Sequence, residues 1–280
     1  MPSHRRTLAI LVGVMSLAAT SFIRPSAAMA ASAEAVDHSA LRVCADPNDL
    51  PFSNDKGEGY ENKIADLLAK DLGVPVQYTY YPDSVGFIRN TLRARKCDIV
   101  IGTISGNDLV QNTNPYYRSS FSLIYRKDSG ITANSFDDPA LQTLQIGVIA
   151  GTPPTTVMAQ KGLLVHVHSY QLLVDTRFDA PTRDLVNDVA ARKIDIGILW
   201  GPIAGYYAKR QSTPLVVVPL KTADNPIPLD YRITMGVRFN EPEWKRQIND
   251  LIRKEQPAIT KILLDYGVPL IDELGEPITQ

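Results

Sequence analysis

Leu41-Arg-Val-Cys-Ala-Asp-Pro-Asn-Asp-Leu-Pro-Phe-Ser-Asn54 and Arg95-Lys-Cys-Asp-Ile-Val-Ile-Gly-Thr-Ile-Ser105 decide the fold of this 280-residue chain. Each is an apolar run that ends in a turn of small polar residues. Such runs read as parallel strands buried on both faces, with carboxyl ends that open into a binding crevice. Between them, residues 60–72 carry Ile64, Leu67, Leu68 and Leu72 at helical spacing, with Gly73 as the stop. Residues 74–80 read as a strand, and residues 85–95 as a helix carrying Phe87, Ile88 and Leu92. Strand, helix, strand, helix, strand predicts a parallel sheet with right-handed crossovers.

Downstream the pattern repeats. A strand over 121–126 leads outward, and a second series starts at 144–149. It continues through a helix at 155–161, a strand at 164–168, a helix at 182–192, a strand at 194–199, a helix at 203–210 and a strand at 215–218. Residues 231–238 then read as a strand. Residues 241–254 and 258–266 read as two amphipathic helices, separated by Pro257, that pack back on the first unit. The expected fold class is α/β, with two lobes that are each a doubly wound, mainly parallel sheet. Lobe 1 is expected over 31–127 plus 229–280 and lobe 2 over 128–228, with hinge crossings near 127–130 and 228–231.

The first 30 residues read as a secretory signal. Arg5 and Arg6 precede a 12-residue apolar run, Leu8 to Ala19, and Ala28-Met29-Ala30 fits a cleavage site. The run is shorter than the roughly 20 residues a membrane span needs. Cleavage after Ala30 would remove three arginines and no acid, leaving 26 basic against 30 acidic side chains. With no basic excess or stripe, nothing points to nucleic acid. A periplasmic protein with no membrane anchor is expected.

Export bears on Cys44 and Cys97, since paired cysteines in an oxidising compartment are usually bonded. They fall on the first and third strands, neighbours in a 2-1-3 sheet order. A Cys44–Cys97 disulfide is expected, the alternative being two buried thiols. His166 and His168 would share one strand face. No carboxylate or cysteine lies beside them at ligand spacing, so no metal site is assigned. No nucleophile-elbow, zinc-protease, Walker or dinucleotide-binding string occurs. No catalytic residue and no cofactor are assigned.

Pro51-Phe52, Gly59-Tyr60-Glu61, the string from Cys97 to Gly102 and Pro115-Tyr116-Tyr117-Arg118 occur in that order. In this the chain resembles type II periplasmic solute-binding proteins of the amino-acid kind, family 3. Trp200-Gly-Pro-Ile-Ala-Gly-Tyr206 and Tyr266-Gly-Val-Pro269 add a narrower likeness. They resemble solute-binding-like proteins that accompany quinoprotein methanol dehydrogenases, the MxaJ and XoxJ type. That resemblance implies a periplasmic accessory that assists assembly or activation of a PQQ-dependent alcohol dehydrogenase. Its implied partners are the dehydrogenase large subunit and the associated c-type cytochrome. The alternative is the binding subunit of an ABC importer, whose partners would be a permease and a small solute.

Amino-acid binders of the family place an arginine after the Thr-Ile-Thr segment, where it forks onto the ligand carboxylate. Residues 106–114 contain none. Five residues past Asp195, where the family places an aspartate for the ligand ammonium, this chain has Trp200. Both ionic anchors for a free α-amino acid are missing. The cleft residues expected on lobe 1 are Asp46, Asn48, Phe52, Tyr60, Tyr81, Ser105 and Tyr116. Lobe 2 is expected to add Thr152, Trp200 and Pro202. Asp46, Asp49 and Glu61 are the acids expected near the crevice mouth, where turn and helix-start roles are the simpler explanation.

Overall fold

The computed structural model describes residues 36–222 and 227–278, so the leader expected over 1–30 lies outside the described residues. The chain opens with β1 (Leu41–Ala45) and a small ribbon of β2 (Asn48–Asp49) and β3 (Ser53–Asn54). Then come α1 (Tyr60–Leu72), β4 (Val76–Tyr80), a short α2 (Phe87–Asn90), β5 (Ile99–Ile104) and the long β6 (Gln111–Arg126). A second run holds β7 (Ile146–Ile149), α3 (Pro153–Gln160), β8 (Val167–Tyr170) and α4 (Pro181–Ala190). It continues with β9 (Ile196–Trp200), α5 (Gly201–Ala208) and β10 (Leu215–Pro219). The chain closes with β11 (Asp230–Val237), α6 (Pro242–Asp265), β12 (Leu270–Ile271) and β13 (Pro277–Ile278).

Two parallel triplets carry the architecture. In the first, β1 lies between β4 and β5; in the second, β7 lies between β8 and β9. Both therefore show the 2-1-3 order that the sequence pattern predicts, in a two-lobed mixed α/β fold. β6 serves both halves. Its first part pairs antiparallel with β11, and from Phe121 onward it pairs with β9 and β10. The sequence reading assigned strand only to 121–126. The earlier start is possible because the β6–β11 register shifts near Pro115, which has no N–H to donate to a regular ladder.

Each half has its own core. α1 buries Tyr60, Ile64, Ala65, Leu68 and Ala69 against β1, β5 and α6. Gly73 stops α1 at φ 71°, in the left-handed region that glycine enters without penalty. Phe121, Leu123, Val148, Met158, Ile196 and Ile198 form the second core. At the C-terminus, 241–254 and 258–266 are not two helices: α6 runs unbroken through Pro257. Proline removes one helical hydrogen bond, at about 3 kcal/mol. Trp244, Ile248, Leu251, Ile252, Ile259 and Leu263 form one apolar stripe across that point, all buried on the first core. Burial of that size outweighs the lost bond.

The helix expected over 85–95 shortens to Phe87–Asn90. Gly86 at φ 98° starts it, and Arg95 at φ 57° turns the chain toward β5. Cys97 is bonded to Cys44, with Cα atoms 5.4 Å apart, and Phe87, Ile88, Leu92 and Val110 pack around the bond. Beside it lies a buried ionic knot. The Asp98 carboxylate, 1% exposed, accepts the Arg42 Nε and Nη2 donors at 2.6 and 2.7 Å and a third bond from Arg238. Arg238 also pairs with Glu241 at 2.8 Å. This knot joins β1, β5 and the segment linking β11 to α6.

Candidate functional site

A cavity of about 760 Å³ opens where the carboxyl ends of β1 and β5 face the end of β9 and the start of α3. Ligands of open α/β folds bind at such strand ends. Among the residues expected there, Asp46, Phe52, Ser105 and Trp200 line the cavity. The others sit elsewhere. Tyr60 is fully buried, its hydroxyl 2.8 Å from that of Tyr117, while the Tyr116 hydroxyl donates to the Ile101 carbonyl at 3.0 Å. Thr152 is buried and donates to the Ile149 carbonyl, and Pro202 is buried in the first turn of α5. Tyr81 packs beside the disulfide cluster and accepts a bond from Asn90. Asn48 is exposed.

The physical reason is common to Tyr60 and Tyr116. Each ring lies on the inward face of its element, where the apolar body fills the core and the hydroxyl finds one internal partner. Thr152 occupies the N-cap position of α3 with its hydroxyl turned back to the Ile149 carbonyl rather than capping the helix, and Pro153 and Pro154 occupy the first turn.

Aromatic rings line much of the cavity. Trp200 packs edge-on to Phe121 at 5.4 Å and to Tyr231 at 6.0 Å between ring centroids. Phe52, Phe87 and Tyr117 add further rings around the space. Four acids, Asp46, Asp49, Glu61 and Asp83, line the same cavity. Asp46 is buried and well partnered. Its carboxylate accepts the backbone N–H of Asn48 at 2.7 Å and of Asp83 at 2.6 Å, and the Thr176 hydroxyl at 2.9 Å.

The other three acids differ. Among the described residues their carboxylates take part in no ion pair, and no hydrogen bond reaches them. Burial, then the Asp83, Asp49 and Asp46 charges, pushes the Glu61 carboxyl from 4.5 to about 8. Desolvation by the surrounding protein and then the Asp46 charge raise Asp83 from 3.8 to about 6, an effect that its exposed place at the crevice edge weakens. Burial, followed by Asp46 and Asp83, drives Asp49 well above the usual carboxylate range. Glu61 reaches this place because residue 102 is glycine. A Cβ there would come within 2.0 Å of the Glu61 Oε1.

Two contacts cross from the loops of the first half to the second. Asn48 Nδ2 donates to the Thr176 carbonyl at 2.6 Å, and the Tyr207 hydroxyl donates to the Leu50 carbonyl at 3.2 Å. Together with the Thr176–Asp46 bond they hold the two sides of the crevice together. The residues 106–114 and 200 supply no ionic anchor, as the sequence indicates. No lysine or arginine lines the cavity.

Sequence reasoning missed Asp83, Tyr117, Phe121, Tyr231 and Thr176. Asp83 lies three residues past the end of β4, a position that topology places at the same crevice edge as Asp46. Nothing local marks Thr176, which sits in a loop without periodicity. The rings of His168 and Tyr170 are 4.7 Å apart, and no group of three metal-ligating side chains occurs among the described residues. No helix among them is long and apolar enough to cross a membrane.

The family model for bacterial extracellular solute-binding proteins, family 3, matches residues 41–266. Protein MoxJ of Methylorubrum extorquens is 29% identical over 280 residues, covering 94% of this chain and 93% of MoxJ. The crystal structure of periplasmic binding protein XoxJ from Methylobacterium extorquens AM1 is 41% identical, with a TM-score of 0.72, and covers 83% of this chain and all of that one. MxaJ of Methlophaga aminisulfidivorans MPT superposes with the same TM-score at 26% identity, covering 82% of this chain and all of MxaJ. With its two-lobed fold and a match spanning nearly every described element, the chain belongs to the bacterial extracellular solute-binding proteins, family 3, and is of the MxaJ/XoxJ type.

Proposed function

We propose that this protein is a non-catalytic periplasmic accessory that assists assembly or activation of a PQQ-dependent methanol dehydrogenase. Its proposed partners are the dehydrogenase large subunit and the c-type cytochrome of the same system. The similarity to MoxJ and XoxJ over most of the chain is the observation that carries this reading. The cavity supports it, because it holds no lysine or arginine to pair the carboxylate of a free α-amino acid. Desolvating the ligand carboxylate there without a cationic partner costs several kcal/mol. The division into lobe 1 (31–127 plus 229–280) and lobe 2 (128–228), and export through cleavage after Ala30, belong to the same proposal.

Deletion of the gene tests it. Dehydrogenase activity, bound quinone and periplasmic abundance of the large subunit are expected to fall together and to return on complementation. Normal activity and quinone loading in the deletion strain refute the accessory role. The second reading, a binding subunit of an importer for a small solute that is not an α-amino acid, draws on the cavity itself. Its volume lies within the usual range for small-molecule sites. Loss of uptake of a solute with intact dehydrogenase selects that reading.

A further inference from the structure

We propose that the inter-lobe cavity binds a small organic cation with an apolar or aromatic body and no carboxylate group. The reasoning begins with charge. Asp46, Asp49, Glu61 and Asp83 face one space of about 760 Å³, and no lysine or arginine shares it. Asp46 spends both oxygens on internal donors. Asp49, Glu61 and Asp83 keep theirs unpartnered among the described residues, so three carboxyl groups line the cavity with no opposite charge beside them. A cation placed there favours the ionised forms of these acids, releasing the protons that Glu61 and Asp49 otherwise keep, and pairs with the carboxylates so formed. An anion is repelled, and a zwitterion brings a carboxylate for which the site holds no donor cluster.

The aromatic lining sets the body of the ligand. Trp200, Phe121 and Tyr231 form one edge-packed cluster, with centroids 5.4–6.5 Å apart, and they line the same cavity as the acids. Aromatic faces attract cations through the ring quadrupole and bury alkyl or aryl groups. Thr176 bonds to Asp46 and Asn48 across the crevice, which leaves a chamber suited to a small molecule rather than to a polypeptide segment. Gly102 is part of the construction, since any side chain there would displace the Glu61 carboxylate. The inference goes beyond the accessory role and does not depend on it.

The test is titration of the purified mature protein with benzylammonium chloride, followed by isothermal calorimetry and tryptophan fluorescence. Benzyl alcohol, benzoate and L-phenylalanine serve as neutral, anionic and zwitterionic comparisons of similar shape. Saturable benzylammonium binding is expected, at least tenfold tighter than any comparison compound. Glu61→Gln and Asp83→Asn should each weaken it about tenfold, and Trp200→Phe should remove the fluorescence change while calorimetric binding persists. Far-UV circular dichroism matching the parent confirms that each variant is folded, and the two isosteric acid variants check one another. No saturable binding of benzylammonium at millimolar concentration overturns the proposal. Equal binding of benzyl alcohol, or unchanged affinity in both acid variants, overturns it as well. A deletion strain with normal dehydrogenase would refute the accessory role and leave this result standing.

Discussion

Glu61→Gln should stabilise the protein in mildly alkaline solution and do little in acid. The Glu61 carboxyl titrates at about 8 in the folded state against 4.5 ordinarily, chiefly through burial and then through the Asp83, Asp49 and Asp46 charges. Below pH 4.5 the folded and unfolded chains both hold the proton, and stability is independent of this group. Between 4.5 and 8 the unfolded chain has lost the proton and the folded one keeps it, so stability falls as pH rises. Above 8 both are ionised and the penalty is constant. Taken at full value the difference amounts to ~5 kcal/mol at about 1.4 kcal/mol per pH unit. Glu61 is only half-buried and borders an open cleft, and solvent screening reduces this to ~1–3 kcal/mol. Glutamine keeps the shape and abolishes the titration. Urea unfolding at intervals from pH 4 to 9 should give a variant-minus-parent difference that is near zero at pH 4, climbs through neutrality and levels off above pH 8. A difference that is flat across that range, or a variant less stable than the parent at pH 8, refutes the electrostatic account of the cleft.

Other substitutions probe the frame around it. Asp98→Ala leaves Arg42 and Arg238 buried without their shared carboxylate and should cost ~3–5 kcal/mol in urea unfolding, against a negligible loss for a change at an exposed pair such as Lys261–Asp265. Joint replacement of Cys44 and Cys97 by alanine opens a cross-link that spans 53 residues, and the chain-entropy account gives a loss of ~4 kcal/mol, measured against the reduced parent as a control. Gly205→Ala puts a Cβ 1.8 Å from the Gly267 carbonyl oxygen, forcing α5 away from the end of α6; a loss of ~1–3 kcal/mol is expected, visible as a lower Tm. An unchanged Tm would mean that the α5–α6 contact yields without cost.

The parallel triplets were legible because their signal is local: an apolar run, a glycine stop and a helix repeat within about 60 residues. The 2-1-3 order follows from that unit by topology, and it sets Cys44 and Cys97 on neighbouring strands, where export favours a bond between them. α6 and β6 were misread for the opposite reason. Pro257 and Pro115 are strong local breakers, and each is overruled by a partner distant in sequence: the first core beneath α6, and β11 beside a shifted register. The cleft shows the same division. Asp46, Phe52, Ser105 and Trp200 stand at strand ends, so they could be placed from the pattern. The buried rings of Tyr60 and Tyr116 could not, since an aromatic residue beside a crevice has the same sequence signature whether it faces in or out. Asp49 and Glu61 are the most instructive. Each has an ordinary local explanation, as a turn former and as a first-turn helix acid. Only the fold brings them against Asp83, and only the glycine at 102 lets Glu61 lie on the floor of the cavity. An acidic chamber backed by aromatic rings is thus a property of the assembled strand ends, built from residues whose individual positions are unremarkable. The crevice holds no lysine or arginine to pair a ligand carboxylate, while four acids and an aromatic cluster line it, and that composition is what the benzylammonium titration probes.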